Sequence, residues 1–238
     1  MLTQNPLVTF FENALTQNKV ALQSSQSNPH LLKDCIAKAL EYHFLTSPST
    51  PSMPRARTNY NWINPPMGWF KLNTDASVIN DEAGGGGLIR DSEGLWVQGF
   101  SRHIGTTSVL MAELWALHDG IHIEKKKNLN IHNLIINVDS NEAIKLLSSP
   151  SCSNRLTQPL VNDCRDTLQA FQQVHLLHCF REANRAADSL AKIGCAQMEL
   201  FVSFVTPPLY VMEVLAYDST HVTANSSPFV TDTQLPAG

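Results

Sequence analysis

The chain has 238 residues, 43% of them hydrophobic and 16% charged, with a net charge of −4 when His is neutral. That balance belongs to a soluble globular protein of one ordinary domain with tails, or of two small domains at most, and it excludes a chain whose overall charge would recruit nucleic acid. Five cysteines (Cys35, Cys152, Cys164, Cys179, Cys195), an odd number without a C-x-x-C pair, fit neither a zinc ribbon nor a secreted disulfide framework and read as reduced thiols.

The N-terminal "MLTQNPLVTFFENALTQ" has no basic stretch, and Glu12 interrupts it. Neither a signal peptide nor a membrane span is expected, which places the protein inside the cell, in nucleus or cytoplasm, and not secreted. Residues 1–67 read as a weakly helical region, best at His30–Leu45, followed by a Pro/Ser-rich linker in "TSPSTPSMPRARTNYNWINPPMG". Residues 197–238 read as a C-terminal extension that is partly disordered, with residues 48–66 and the last dozen expected to be poorly ordered.

Residues 68–196 carry the periodic signals. Trp69–Ala76 alternates as a first strand, and "GGGGLIRDSEGLWVQGFSRHI" makes two more around a turn at Asp91–Gly94. A helix follows over Ser108–Lys126, with Leu110, Leu114, Leu117 and Ile121 forming its apolar stripe. "NLIINVDS" is apolar enough to be a strand buried on both faces. Helices are expected from Asn141 to about Leu147 and from Thr157 to Phe171, then a fifth strand in "QVHLLHCF" and a closing helix in "NRAADSLAKIGC". This order gives an α/β fold in which an antiparallel meander feeds parallel crossovers.

Four acids recur at comparable places: Asp75 ends the first strand, Glu113 lies among the apolar residues of the first helix, Asp139 ends the fourth strand, and Asp188 sits one turn into the last helix. Taken singly, Asp139-Ser140 could cap the next helix, and Glu113 or Asp188 could be solvated helix residues. Taken together, they meet where adjacent parallel strands end, the usual ligand crevice of an open sheet. Clustered carboxylates repel one another, and hard divalent cations such as Mg²⁺ or Mn²⁺ reverse that cost. Two such ions could activate water and stabilise the leaving oxygen of a phosphodiester.

"GWFKLNTDAS", "GGGGLIRDSEG", "AELWAL", "NVDSNEAIKLL" and "REANRAADSLAK" together resemble the type 1 ribonuclease H domain, in its plant branch related to retroelements. The resemblance implies a five-stranded mixed sheet in the order 3-2-1-4-5 flanked by helices. It implies endonucleolytic cleavage of the RNA strand of RNA–DNA hybrids with two Mg²⁺, for which Mn²⁺ can substitute, in a monomer. Asp75, Glu113, Asp139 and Asp188 match the metal-binding carboxylates; Asn141 and Asn184 match residues that contact the hybrid or lie near the site. His178 matches a mobile catalytic His, and a structural role for it is the competing expectation.

There are departures. Ala76 replaces the usual Gly after the first acid, and Val109 and Leu110 stand where many members read the RNA 2′-hydroxyl. The basic protrusion is missing, and residues 68–195 hold 12 Lys and Arg against 14 Asp and Glu, a net of −2. A catalytically weak or inactive nucleic-acid-binding module derived from a retroelement is therefore the alternative expectation, and a remnant without selected activity a third.

Overall fold

The computed structural model describes residues 61–127, 129–149 and 154–221, with backbone alone for 124–127. The expected helix at His30–Leu45, most of the expected linker and the last dozen residues lie outside the described residues.

The elements follow the expected order: β1 (Phe70–Ile79), β2 (Glu82–Arg90), β3 (Trp96–Gly105), α1 (Val109–Lys127), β4 (Asn133–Val138), α2 (Asn141–Ser148), α3 (Gln158–Leu168) and β5 (Gln173–His178). A 3₁₀ turn at Arg181–Ala183 leads into α4 (Arg185–Ala196), and β6 (Phe201–Phe204) and α5 (Leu209–Thr220) complete the order. Strands run β5-β4-β1-β2-β3-β6 across a single sheet, the expected five with a sixth added at the β3 edge. β1, β2, β3 and β6 pair antiparallel, whereas β4 pairs parallel with β1 and with β5. The β1–β2 hairpin turns at Asn80 and Asp81, both with positive φ (52° and 65°), which these two side chains tolerate better than most.

Side-chain alternation along the strands divides the core in two. Leu72, Ile89, Leu134 and Ile136 pack with Leu114, Leu117 and Ile121 of α1, together with residues of α2 and α3. Leu88, one residue before Ile89, packs instead with Leu190 of α4 and Val211 of α5. The glycine run of β2 lets the helices approach this closely. A Cβ on Gly84 or Gly86 would collide with the α4 backbone at Cys195 and Ala191, while one on Gly85 would press on Ala116 of α1. Glycine there is a packing requirement that brings α4, and with it Asp188, down onto the sheet.

Three boundaries differ from expectation. β1 does not end at Asp75 but continues to Ile79, because β2 still pairs with it after β4 has stopped. Trp62, assigned to the linker, is 2% exposed; its Nε1 donates to Asn73 Oδ1 at 2.9 Å and its ring carries the Arg90 guanidinium at 3.4 Å. Ile63 O accepts from the buried Lys71 Nζ at 2.6 Å. The segment from Asn61 is thus part of the packed domain. At the other end, residues 201–220 form β6 and α5, and Asp218 of α5 makes a buried ion pair with Arg90 at 2.8 Å. A buried arginine needs such a partner, and α5 supplies it from outside the expected domain. No helix among the described residues is long and apolar enough to cross a membrane.

Candidate active site

Parallel pairing aligns Thr74 of β1 with Val138 of β4, so the next residue on each strand, Asp75 and Asp139, emerges at the same end of the sheet. Glu113 comes from the second turn of α1, whose start is set by Ser108: its Oγ accepts from Met111 N at 3.3 Å. Carboxylate oxygens of Asp75, Glu113 and Asp139 all lie within 4.8 Å of one another. Asp75 and Glu113 are buried, and Asp139 is half-buried.

Asp139 does not cap α2. Ser140 does, accepting from Ala143 N at 3.3 Å through its Oγ. The Asp139 carboxylate is left to face the cleft, where the exposed Arg181 donates to it from Nε at 3.3 Å.

Electrostatics register the crowding. Burial, then the charges of Asp139, Glu113 and Asp188, push the Asp75 carboxyl up to about 9, although the Ala76 N–H donates to its Oδ1 at 3.0 Å. Burial and the Asp139 charge push Glu113 up to about 8. Glu113 Oε2 is buried with no hydrogen-bond partner. A buried carboxylate oxygen with no donor, beside two more carboxylates, is a site shaped for a cation bound through oxygen.

Asp188 stands a step apart. It raises the Asp75 carboxyl from across the cleft, but its own Oδ2 accepts from Lys192 Nζ at 2.7 Å, one turn along α4. Both side chains are more than a third exposed, so the pair is worth only about 0.3–0.5 kcal/mol and is easily exchanged for another cation.

The remaining expected residues divide. His178 ends β5, is exposed, and places Nε2 3.2 Å from Asp139 O, with its ring edge-on to Phe180. With Glu113, Asp139, Ser140, Phe180 and Arg181 it lines a cleft of about 270 Å³. Asn141 is exposed at the first position of α2, beside that cleft. Asn184, expected to contact the hybrid, is 1% exposed and cannot reach it. Its Oδ1 accepts from Asn73 Nδ2 at 3.0 Å and its Nδ2 donates to Thr74 O at 2.9 Å. Through Asn73 this chain continues to Trp62. Asn184 is therefore a positioning residue: it ties the start of α4 to β1 immediately before Asp75.

Sequence reasoning missed Arg181 and the Trp62–Asn73–Asn184 chain. Arg181 stood in the quoted "REANRAAD" stretch, but nothing in its spacing marks it as the partner of Asp139. The alternation of Phe70 to Asn73 does place Asn73 opposite the Leu72 face, which was the available hint of a buried polar contact.

This combination of a mixed sheet and an acidic cleft at the β1/β4 ends is that of a ribonuclease H-like domain. The family described as "Reverse transcriptase-like" matches residues 73–194, and the chain belongs to it. An Arabidopsis thaliana protein named as a candidate ribonuclease H is 32% identical over 170 residues, covering 71% of this chain and 27% of that protein. The chain thus spans about a quarter of the length of this curated relative. The N-terminal RNase H domain of a Mycobacterium tuberculosis protein, solved as a fusion with maltose-binding protein, superposes with a TM-score of 0.50 at 17% identity, covering 54% of this chain and 94% of that one. That likeness establishes the fold.

Proposed function

We propose that the chain hydrolyses the RNA strand of RNA–DNA hybrids endonucleolytically, as a monomer that depends on two Mg²⁺ ions, which Mn²⁺ can replace. The observation that carries this reading is the convergence of Asp75, Glu113 and Asp139, with the unpartnered Glu113 oxygen among them. These three carboxylates would hold one ion, and Asp139 or Asp75 would share the second with Asp188 once Lys192 gives up its pair. When bound, such ions supply an activated water and stabilise the leaving oxygen of a phosphodiester.

The chain's own residues do the rest. Asp75 and Glu113 sit in burial that makes their charged forms costly without a cation, so the site is poised to bind one. Asn184 and the glycines of β2 fix α4 against β1. His178 and Asn141, exposed at the rim, are placed to meet the nucleic acid: His178 to move a proton or assist product departure, Asn141 to donate to the backbone from the α2 N-terminus. Labelled hybrid incubated with the full chain should lose its RNA strand in Mg²⁺ or Mn²⁺ and keep it in EDTA. An intact RNA strand under all three conditions contradicts the proposal.

Three observations favour a second reading, a weak or inactive module that binds nucleic acid. Asp188 is occupied by Lys192, Asp139 by Arg181, and Val109, 61% exposed, leaves the cleft rim without a polar group where a 2′-hydroxyl would be read. Hybrid binding without turnover in either metal would favour this reading over the first.

A further inference from the structure

Away from the acidic cleft, α1 presents His118 and His122 on one face, four residues apart, with ring centroids separated by 4.1 Å and planes at 27°. Asp163 of α3 meets both: its Oδ2 lies 2.7 Å from His118 Nε2 and 3.3 Å from His122 Nε2. The three ligand atoms lie within 4.8 Å of one another. We propose that His118, His122 and Asp163 form a zinc site that cross-links α1 to α3.

His122 Nδ1 is 2.8 Å from His118 O, and a carbonyl only accepts, so that nitrogen carries the proton. In the neutral ring Nε2 is then a lone pair, and it points at a carboxylate that also only accepts. The Thr167 hydroxyl, 3.1 Å from the same nitrogen, can donate to it. His118 Nδ1 is buried with no hydrogen-bond partner and faces Asp119 Oδ1 at 3.6 Å. Arg102 fixes that carboxylate with Nε and with NH2, the latter at 3.1 Å. His118 Nε2, 2.7 Å from Asp163 Oδ2, is within hydrogen-bond distance as an N–H donor, and loss of that proton to solvent frees it to ligate a metal. Two imidazole nitrogens and a carboxylate oxygen converge on one point, a donor set that a cation can hold together in place of these hydrogen bonds.

The donor set selects the ion. Two imidazole nitrogens with one carboxylate oxygen suit Zn²⁺, whereas Mg²⁺ prefers oxygen alone, so the metal of the acidic cleft does not compete here. His122 turns its second nitrogen to the His118 carbonyl at 2.8 Å, the kind of outer contact that orients a zinc-binding histidine. The Asp163 side chain is 55% exposed, which leaves a path for entry and a fourth position for water.

The test titrates Zn²⁺ alone into the full chain in millimolar Mg²⁺, by calorimetry and thermal unfolding. One ion should bind per chain and raise the unfolding midpoint. His118→Gln and Asp163→Asn should each weaken binding at least about tenfold, while Asp75→Asn leaves it unchanged. Asp163 is exposed, so its variant folds and keeps Mg²⁺-dependent hybrid cleavage where the wild type has it. Co²⁺ in place of Zn²⁺ should give visible absorption bands that His118→Gln removes. No stoichiometric Zn²⁺ binding in Mg²⁺, or binding that survives both His118→Gln and Asp163→Asn, overturns the proposal.

Discussion

Replacing Asp75 with Asn should make the metal-free protein more stable. The carboxyl is 6% exposed and held near 9 by burial and three neighbouring acids, against an ordinary value of 3.8. A carboxyl whose folded value lies above its unfolded value stabilises the fold fully below the unfolded value, and that contribution is lost as pH rises toward the folded one. At pH 7 the folded protein keeps Asp75 protonated, and the cost is that of taking up a proton the unfolded chain has released. With 1.36 kcal/mol per pH unit over the interval from 3.8 to 7, this is about 4 kcal/mol. Asn retains the oxygen that accepts from Ala76 N and carries no charge, so most of that cost disappears. Urea unfolding in EDTA should show wild type and Asp75→Asn close together at pH 4, with the variant ahead by up to about 4 kcal/mol at pH 7. Saturating Mg²⁺ should close the gap from the wild-type side, because only the native carboxylate cluster gains from the cation. A variant no more stable than wild type in EDTA at pH 7 refutes the reasoning.

Three further outcomes follow from the packing. Asp218→Ala leaves Arg90 buried without its 2.8 Å partner and should cost about 3–5 kcal/mol in chemical unfolding, although Asp218 lies in the C-terminal extension. Gly86→Ala drives a Cβ into the α4 backbone at Ala191; it should cost more than about 1 kcal/mol by the same measurement and lower any hybrid cleavage by displacing α4. Asn184→Ala should lower stability by about 1–3 kcal/mol through the orphaned Asn73 amide, with hybrid affinity per folded molecule unchanged, since Asn184 never reaches the surface.

The order of elements along the chain and three of the four acids were legible because they rest on local signals, whereas the order of strands across the sheet came from the family resemblance. β1 alternates up to Asp75, where its pairing with β4 stops, and β4 runs apolar up to Val138, so the parallel register brings the two acids together; that β1 runs on past Asp75 to Ile79 beside β2 was not legible. β6 was not legible: Phe201–Phe204 is four residues long and becomes a strand only because β3 offers it an edge. Trp62 looked like linker because its neighbours are Pro and Asn, and its burial depends on Asn73 and Arg90, which come later in the chain. Asn184 was singled out by its match to a recurrent family Asn near the site, which carries no information on burial; the fold buries it under β1. His118 and His122 stand four apart on the expected first helix, a spacing that went unused, and Asp163 joins them from α3, a proximity that no local spacing announces.

The most direct test compares wild type with Asp139→Asn on an end-labelled RNA–DNA hybrid in Mg²⁺. Ser140, not Asp139, caps α2, so the variant keeps its helix and its fold. It loses one carboxylate of the cluster and with it the charge that would hold the ions. The account predicts RNA-strand cleavage by wild type and a fall of at least about a hundredfold in the variant, with hybrid binding in EDTA equal or slightly tighter. Equal cleavage by the two proteins would contradict it, and so would a wild type that binds the hybrid and leaves the RNA strand whole.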